Sequence, residues 1–227
     1  MSKISVVIPV YNSSQTIGQC LKSVFAQTFK DLEVIAIDDG STDSSWSALE
    51  KWQDRVKIYQ QKNMGAPAAR NFGFTKSHGD YVIFCDADVI MRNDMLQKMY
   101  DRLEANKNKA YAYSSFKFGW KTFKIWPFNL EKLKNGPYIP TTSLIRRNYF
   151  PGFDEFLKKF QDWDLWLTIS ENGGEGIWIN EVLFVAKTGG TMSRWLPKLF
   201  YKLSWLSFVK KYNQAKKIIQ DKHNLKS

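Results

Sequence analysis

YVIFCDADVIM, residues 81–91, decides how the rest of the chain is read. Tyr81 to Cys85 is an unbroken apolar, β-rich run entered through the turn-forming Ser77-His78-Gly79-Asp80, and it predicts a strand buried on both faces. The run stops at Asp86-Ala87-Asp88. Two carboxylates one residue apart at the end of such a strand repel each other and lose solvation. Side chains at i and i+2 leave a strand on the same side, so Asp86 and Asp88 can converge on one cation, and hard carboxylate oxygens suit Mg2+ or Mn2+. A polar turn that merely ends a strand would read the same over three residues, so the neighbouring segments decide.

Ile4 to Val10 is a second buried-strand run, followed by Tyr11-Asn12 and by Ser13 and Ser14, which offer capping oxygens to a helix carrying Ile17, Leu21, Val24 and Phe25 at helical spacing. Leu32 to Ile37 repeats the pattern and again ends in acid, Asp38-Asp39-Gly40-Ser41-Thr42-Asp43, before a helix expected to reach about residue 54. Val56 to Tyr59 makes a third strand, and Asn63 to Asn71 a small-residue turn running into a helix. Strands alternating with helices predict an α/β fold with a mostly parallel central sheet. Ligands of such sheets bind beyond the carboxyl ends of the strands, where this chain gathers Tyr11, Asn12, Asp38, Asp39, Asp86 and Asp88, with Arg70 nearby. Carboxylates there can accept hydrogen bonds from a base and ribose and hold a metal on a diphosphate. Neither G-x-G-x-x-G after the first strand nor G-x-x-x-x-G-K-[ST] occurs, which argues against NAD and P-loop chemistry.

The length of 227 residues suits one large α/β domain. Cys20 and Cys85 lie in apolar stretches without metal-ligand spacing and read as buried free thiols of a reducing compartment. Met1 to Lys3 lead straight into a strand, and no apolar run reaches the roughly 18 to 20 residues of a membrane span, so the expectation is a cytoplasmic protein, or one held at the inner face of the cytoplasmic membrane. The net charge is +11, and residues 192–227 hold nine basic residues against Asp221, which leaves eight of the eleven charges in that segment. A nucleic-acid binder would spread its charge along a groove-facing surface. Nucleic acid is therefore not expected as a partner.

VVIPVYN (6–12), DDGSTD (38–43), NMGAPAARN (63–71), the Asp86–Asp88 pair and FQDWDLWL (160–167) together resemble the inverting family-two glycosyltransferases of the GT-A fold, in that family's order and spacing over about residues 2–194. The resemblance implies a GT-A domain over 1–194, with a nucleotide-sugar half (1–92) and an acceptor half (93–194), then a tail over 195–227. It implies that Asp39 binds the nucleobase, with Pro9, Tyr11, Asn12 and Arg70 around it. Asp86 would contact the ribose or diphosphate, Asp88 would hold Mn2+ or Mg2+, and Asp162 would be the general base. The implied reaction moves a hexosyl or N-acetylhexosaminyl group from a nucleotide-sugar, UDP-linked above all, to a glycan or lipid-linked hydroxyl. A non-catalytic nucleotide-sugar binder or scaffold of the same fold is the alternative, although a binder has no need of Asp162.

In the second half, Ala110 to Phe116 and Thr141 to Ile145 read as strands and Leu157 to Gly173 as a helix with Asp162 and Asp164 near its start, Asp164 being structural and Trp163 either core or an acceptor platform. Two departures stand out against the resemblance. Gln161 takes the place of a frequent glutamate, and Ala186 and Thr188 stand where relatives often carry arginine and histidine, leaving Lys187 or Arg194 as candidates to face the diphosphate. His78 and His223 read as solvated. Lys117 to Tyr138, rich in aromatics and lysine, reads as an acceptor-site lining or a folded-over flap. At 100° per residue the tail shows an aliphatic stripe, Leu196, Leu199, Leu203 and Leu206, opposite Tyr201, Trp205, Phe208 and Tyr212, with lysines beside it. That is a composition for peripheral membrane contact, or for burial in the domain or a dimer.

Overall fold

The computed structural model describes residues 2–187 and 207–225, without the side chains of Ser207 and Phe208. β1 (Ile4–Val10), β2 (Leu32–Asp38), β3 (Lys57–Gln60) and β4 (Tyr81–Phe84) alternate with α1 (Ile17–Phe25), α2 (Ser45–Glu50) and α3 (Ala66–Thr75). Then follow β5 (Val89–Met91), α4 (Met95–Glu104), β6 (Tyr111–Phe118), β7 (Lys121–Phe123), α5 (Leu130–Asn135), β8 (Leu144–Arg146), α6 (Gln161–Glu171), β9 (Gly176–Ala186) and α7 (Ser207–Lys222). Among the described residues the strands form one sheet ordered β3-β2-β1-β4-β8-β6-β9-β5, with β7 added to β6. β3, β2, β1 and β4 are mutually parallel, as expected. Beyond β4 the sheet is mixed, because β8 is antiparallel to β4 and β6 while β9 runs parallel to β6 and antiparallel to β5.

The continuous apolar runs follow from burial on both faces. Ile4, Val6, Ile8 and Val10 of β1 join Tyr81, Ile83 and Cys85 in a core shared with α1 and α4. Val7, Val82 and Phe84 face the other way, into a core dominated by Trp163 and Trp166 of α6. The β1–β4 ladder ends at Val7 opposite Phe84, followed by a bond from the Cys85 N–H to the Val7 carbonyl. Odd residues of β1 therefore face β4, and Pro9, which has no N–H, points where that strand has already ended. The serine cap expected for α1 is absent: Thr16 is the cap residue and makes no side-chain capping bond, while the Ser13 N–H donates to Ser45 Oγ and the Ser14 N–H to the Asp43 carboxylate.

α6 begins at Gln161 rather than at residue 157, since Phe160 sits in the left-handed region at φ 60° and blocks an earlier start. Trp163 is core rather than an exposed platform, fully buried with its indole N–H donating to the Leu133 carbonyl at 2.6 Å. The tail does not stand clear of the domain where it is described. Val209 and Ile219 of α7 are buried, and Tyr212 packs edge-on against Phe160 at 5.0 Å. The remaining stripe residues, from Leu196 to Leu206 and the Phe208 side chain, lie outside the described residues.

His223, expected to be solvated, is buried: its Nε2 lies 2.8 Å from Asp164 and its Nδ1 2.8 Å from Glu171. Lys222 reaches Asp164 at 2.8 Å and Asp154 at 2.7 Å. Asp164, one turn into α6, is 3% exposed and therefore needs these cations. Burial alone would lower the His223 pKa, but its bonds to Asp164 and Glu171 outweigh this and raise it above the usual value. Burial pushes Asp164 up, and His223 and Lys222 more than offset it, so its pKa falls.

Two predictions follow from this packing. A Cβ on Gly73 would lie 2.4 Å from Val7 Cγ1 and 3.2 Å from Ile37 Cγ1, so Gly73→Ala should lower the unfolding free energy by about 1–3 kcal/mol. Val7→Ala in the same chain should recover part of that loss in urea unfolding. The raised His223 pKa gives stability that is complete below its unfolded value near 6.5 and declines as pH rises through the folded value. The unfolding midpoint should fall as pH rises above that unfolded value, and His223→Gln should flatten that slope, as followed by circular dichroism.

Candidate active site

Strand order reverses at β1, because the chain steps outward to β2 and β3 and then returns to place β4 on the other side. Beyond the carboxyl ends of β1, β2 and β4 lie the residues expected there. Asp39 is 3% exposed and accepts 2.8 Å bonds from Gln61 Nε2, the Met64 N–H and the Gly65 N–H. It thus fixes the loop leading into α3. Asp38, fully buried, accepts from Gln60 Nε2 at 2.9 Å. Asn12 adopts φ 47° and its side-chain oxygen accepts from the Thr42 N–H at 2.8 Å, tying the β1 end to the 41–43 turn. Gly40, at φ 69° and with space for a Cβ only 2.9 Å from the Asn63 N–H, permits that turn. Tyr11 stays 38% exposed at the rim.

Arg70, expected beside Asp39, makes its bonds to Asp86 and Gln161. Its guanidinium is 4% exposed, donates from Nη2 to Asp86 Oδ1 at 2.6 Å and from Nη1 to Gln161 Oε1 at 3.4 Å, and lies 5.2 Å from the Phe153 ring centroid. Arg70 therefore joins the acid pair after β4 to the start of α6. The next residue, Asn71, holds the 153–155 loop through the Phe153 carbonyl and N–H and the Glu155 carboxylate. This clamp was missed in the sequence, where Asn71 offers only a polar helical residue. Gln161, noted there only as a missing charge, accepts Arg70's second bond.

Asp162 opens α6, and its Oδ1 accepts from the Trp163 N–H at 2.9 Å. Burial raises its pKa, with the Trp163 N–H and Arg70 opposing and Asp86 adding to the rise. A carboxylate so placed is a stronger proton acceptor than one in water. Asp88 is half-buried, and its Oδ1 is buried without a hydrogen-bond partner among the described residues. Burial first and the Asp86 charge second push its pKa up to about 6. An orphaned hard oxygen of this kind fits Mg2+ or Mn2+. No group of three or more His, Cys, Asp or Glu able to hold a metal occurs among the described residues, so a cation at Asp88 would complete its shell with diphosphate oxygens and water, as these ions commonly do.

The free thiols of Cys20 and Cys85 are buried 3.7 Å apart below the Asp86 carbonyl, as expected. The Lys187 N–H donates to the Asp88 carbonyl at 3.1 Å, and its ammonium reaches Gln19 on α1. Thr188 and Arg194 lie outside the described residues.

A mixed sheet carrying an acid pair at the β4 end and a carboxylate at the start of α6 is the GT-A architecture. Solved structures share it: S. aureus TarS in complex with UDP-GlcNAc (TM-score 0.73, 21% identity, 88% of this chain and 64% of that one) and the Pyrobaculum calidifontis mannosyltransferase PcManGT with GDP-Man and Mn2+ (TM-score 0.66, 19% identity, 86% and 57%). Residues 5–162 match the family described as Glycosyl transferase family 2, and the chain belongs to that family. It is 30% identical to the cholesterol galactosyltransferase of Borreliella burgdorferi over 92% of this chain and 58% of that protein. An uncharacterized glycosyltransferase of Rickettsia conorii is 32% identical over 84% of this chain and 34% of its own length. The chain thus spans between about a third and three-fifths of these curated relatives.

Because Arg70 has one anionic partner and is buried, Arg70→Leu should leave Asp86 uncompensated and lower stability by about 3–5 kcal/mol. Arg70→Lys, which keeps the charge but not the two-pronged reach, should recover only part of that in chemical denaturation.

Proposed function

We propose that this chain transfers a sugar from a nucleotide-sugar, most readily a UDP-sugar, to an acceptor hydroxyl with inversion at the anomeric carbon. The observation that carries the reading is the pairing, through Arg70, of a proton acceptor with raised pKa, Asp162, and an acid pair whose Asp88 has an orphaned buried oxygen.

The donor's base and ribose lie beyond β1 and β2, near Asp39, Tyr11, Asn12 and Pro9, with its diphosphate toward Asp86 and Asp88. UDP and UDP-GlcNAc complexes of TarS favour a uridine donor. Asp162 takes the acceptor hydroxyl's proton as that oxygen attacks the anomeric carbon from the face opposite the leaving diphosphate, and a single displacement inverts the configuration. Asp88 would hold Mn2+ or Mg2+, which would supply charge stabilisation to the departing diphosphate. Arg70 keeps Asp86 and the start of α6 in register while this happens. The acceptor is a glycan or lipid-linked hydroxyl at the inner face of the cytoplasmic membrane, a reading favoured by the relative that acts on cholesterol.

Asp162→Asn should keep UDP affinity within a few-fold, by calorimetry, while transfer falls roughly 10²–10⁴-fold. Transfer within a few-fold of wild type would remove the base assignment. UDP should raise the melting temperature in the presence of Mn2+, and Asp88→Ala should abolish the Mn2+-dependent part of that shift. A panel of UDP-, GDP- and dTDP-sugars in the same assay identifies the nucleotide.

A further inference from the structure

β6 and β7 form a hairpin whose register pairs Phe116 with Phe123, Lys117 with Thr122 and Phe118 with Lys121. One face is aromatic and packed: Phe116 stacks on Phe123 at 5.0 Å and on Phe184 at 5.2 Å, and Phe118 lies against the core. Strand alternation puts Lys117 and Thr122 on the other face, where both are exposed, and Lys124 beyond them is exposed too. At the tip, Gly119 takes φ 56°, and Trp120 beside it is 91% exposed. An indole so exposed is unusual on a water-facing surface, whereas tryptophan is favoured where an apolar region meets a wet one. No acidic residue occurs from Ala105 to Leu130, so Lys117 and Lys124 have no anion in their own segment.

The tip also has a fixed relation to the active site. The Gly119 N–H donates to the Ala186 carbonyl at 3.0 Å, Ala186 pairs with Val89, and Val89 follows Asp88. The exposed indole therefore stands at the end of the sheet where Asp88 leads into β5.

We propose that the β6–β7 hairpin is the surface by which this protein meets an anionic lipid bilayer, with Trp120 entering the headgroup layer and Lys117 and Lys124 facing its phosphates. The charge complementarity selects an anionic membrane, and the register brings the Asp86–Asp88 end of the site to the layer where a lipid-borne hydroxyl lies. This deepens the reading of a lipid-linked acceptor by naming the element that reaches it, and it stands on lipid binding alone, measured without donor or transfer.

The full chain should co-sediment with vesicles of phosphatidylcholine mixed with phosphatidylglycerol at low salt. Binding should weaken as salt rises and be lost with phosphatidylcholine alone. Trp120→Ser, and separately Lys117→Ser with Lys124→Ser, should each weaken binding on the order of tenfold, with unchanged melting temperature because these side chains are exposed. Trp120→Phe should retain most of it. Failure of the unaltered chain to bind mixed vesicles overturns the proposal, as does binding by the Trp120→Ser and lysine variants equal to the unaltered chain, which would place attachment elsewhere, as in the basic carboxyl-terminal segment. Loss of transfer in Asp162→Asn with vesicle binding intact keeps the two readings separate.

Discussion

The buried ion pair of Arg70 with Asp86 is the constraint on which the site depends. A guanidinium at 4% exposure must be matched by an anion at close range, and its 2.6 Å bond to Asp86, with a longer one to Gln161, leaves little latitude in how α3, the end of β4 and the start of α6 meet. Its Nε has no partner among the described residues, so the match is incomplete even with both bonds made. Phe153, beneath the guanidinium, excludes water from one side and is held by the neighbouring Asn71. An arrangement built this way is held rigidly where the charges are.

The second anchor of α6 works by a different physics. Trp163 and Trp166 are fully buried, and each indole N–H finds a carbonyl, so burying two large rings leaves no polar atom of theirs unsatisfied. Between those anchors stands Asp164, whose carboxylate would be costly in that core without Lys222 and His223. The helix that presents Asp162 is thus held by Arg70 at its first residue, by the core along its length and by the α7 end on its outer side. The two aspartates differ because of their partners. Asp164 is compensated by cations and inert, whereas Asp162 is desolvated with only partial compensation and has its pKa raised.

The sheet divides the labour. Its parallel half ends in the loops that carry Asp39 and the acid pair, and its mixed half joins that pair to β6 through β5 and β9. Ala186 is the joint, paired with Val89 on one side and Phe118 on the other. Through it the position of Asp88 is tied to the hairpin that carries Trp120.

The amino-acid sequence determined the parallel half almost completely. Buried strands declare themselves as apolar runs, acids mark where those runs end, and Gly40 marks a turn that other residues would obstruct. It placed Asp39, Asp86, Asp88 and Asp162 at strand and helix ends, because those are local properties of period and polarity. Only the tertiary structure decided where Arg70 points, that Asn71 clamps the 153–155 loop, that Trp163 is core, and that His223 is a buried partner of Asp164 rather than a solvated residue of a tail. Each of these is a contact between segments 16 or more residues apart or a choice of face that both periods allow. Hydrophobic pattern specifies which side chains are buried, but a buried charge is settled by which opposite charge the folded chain brings to it, and that is fixed only when the elements pack.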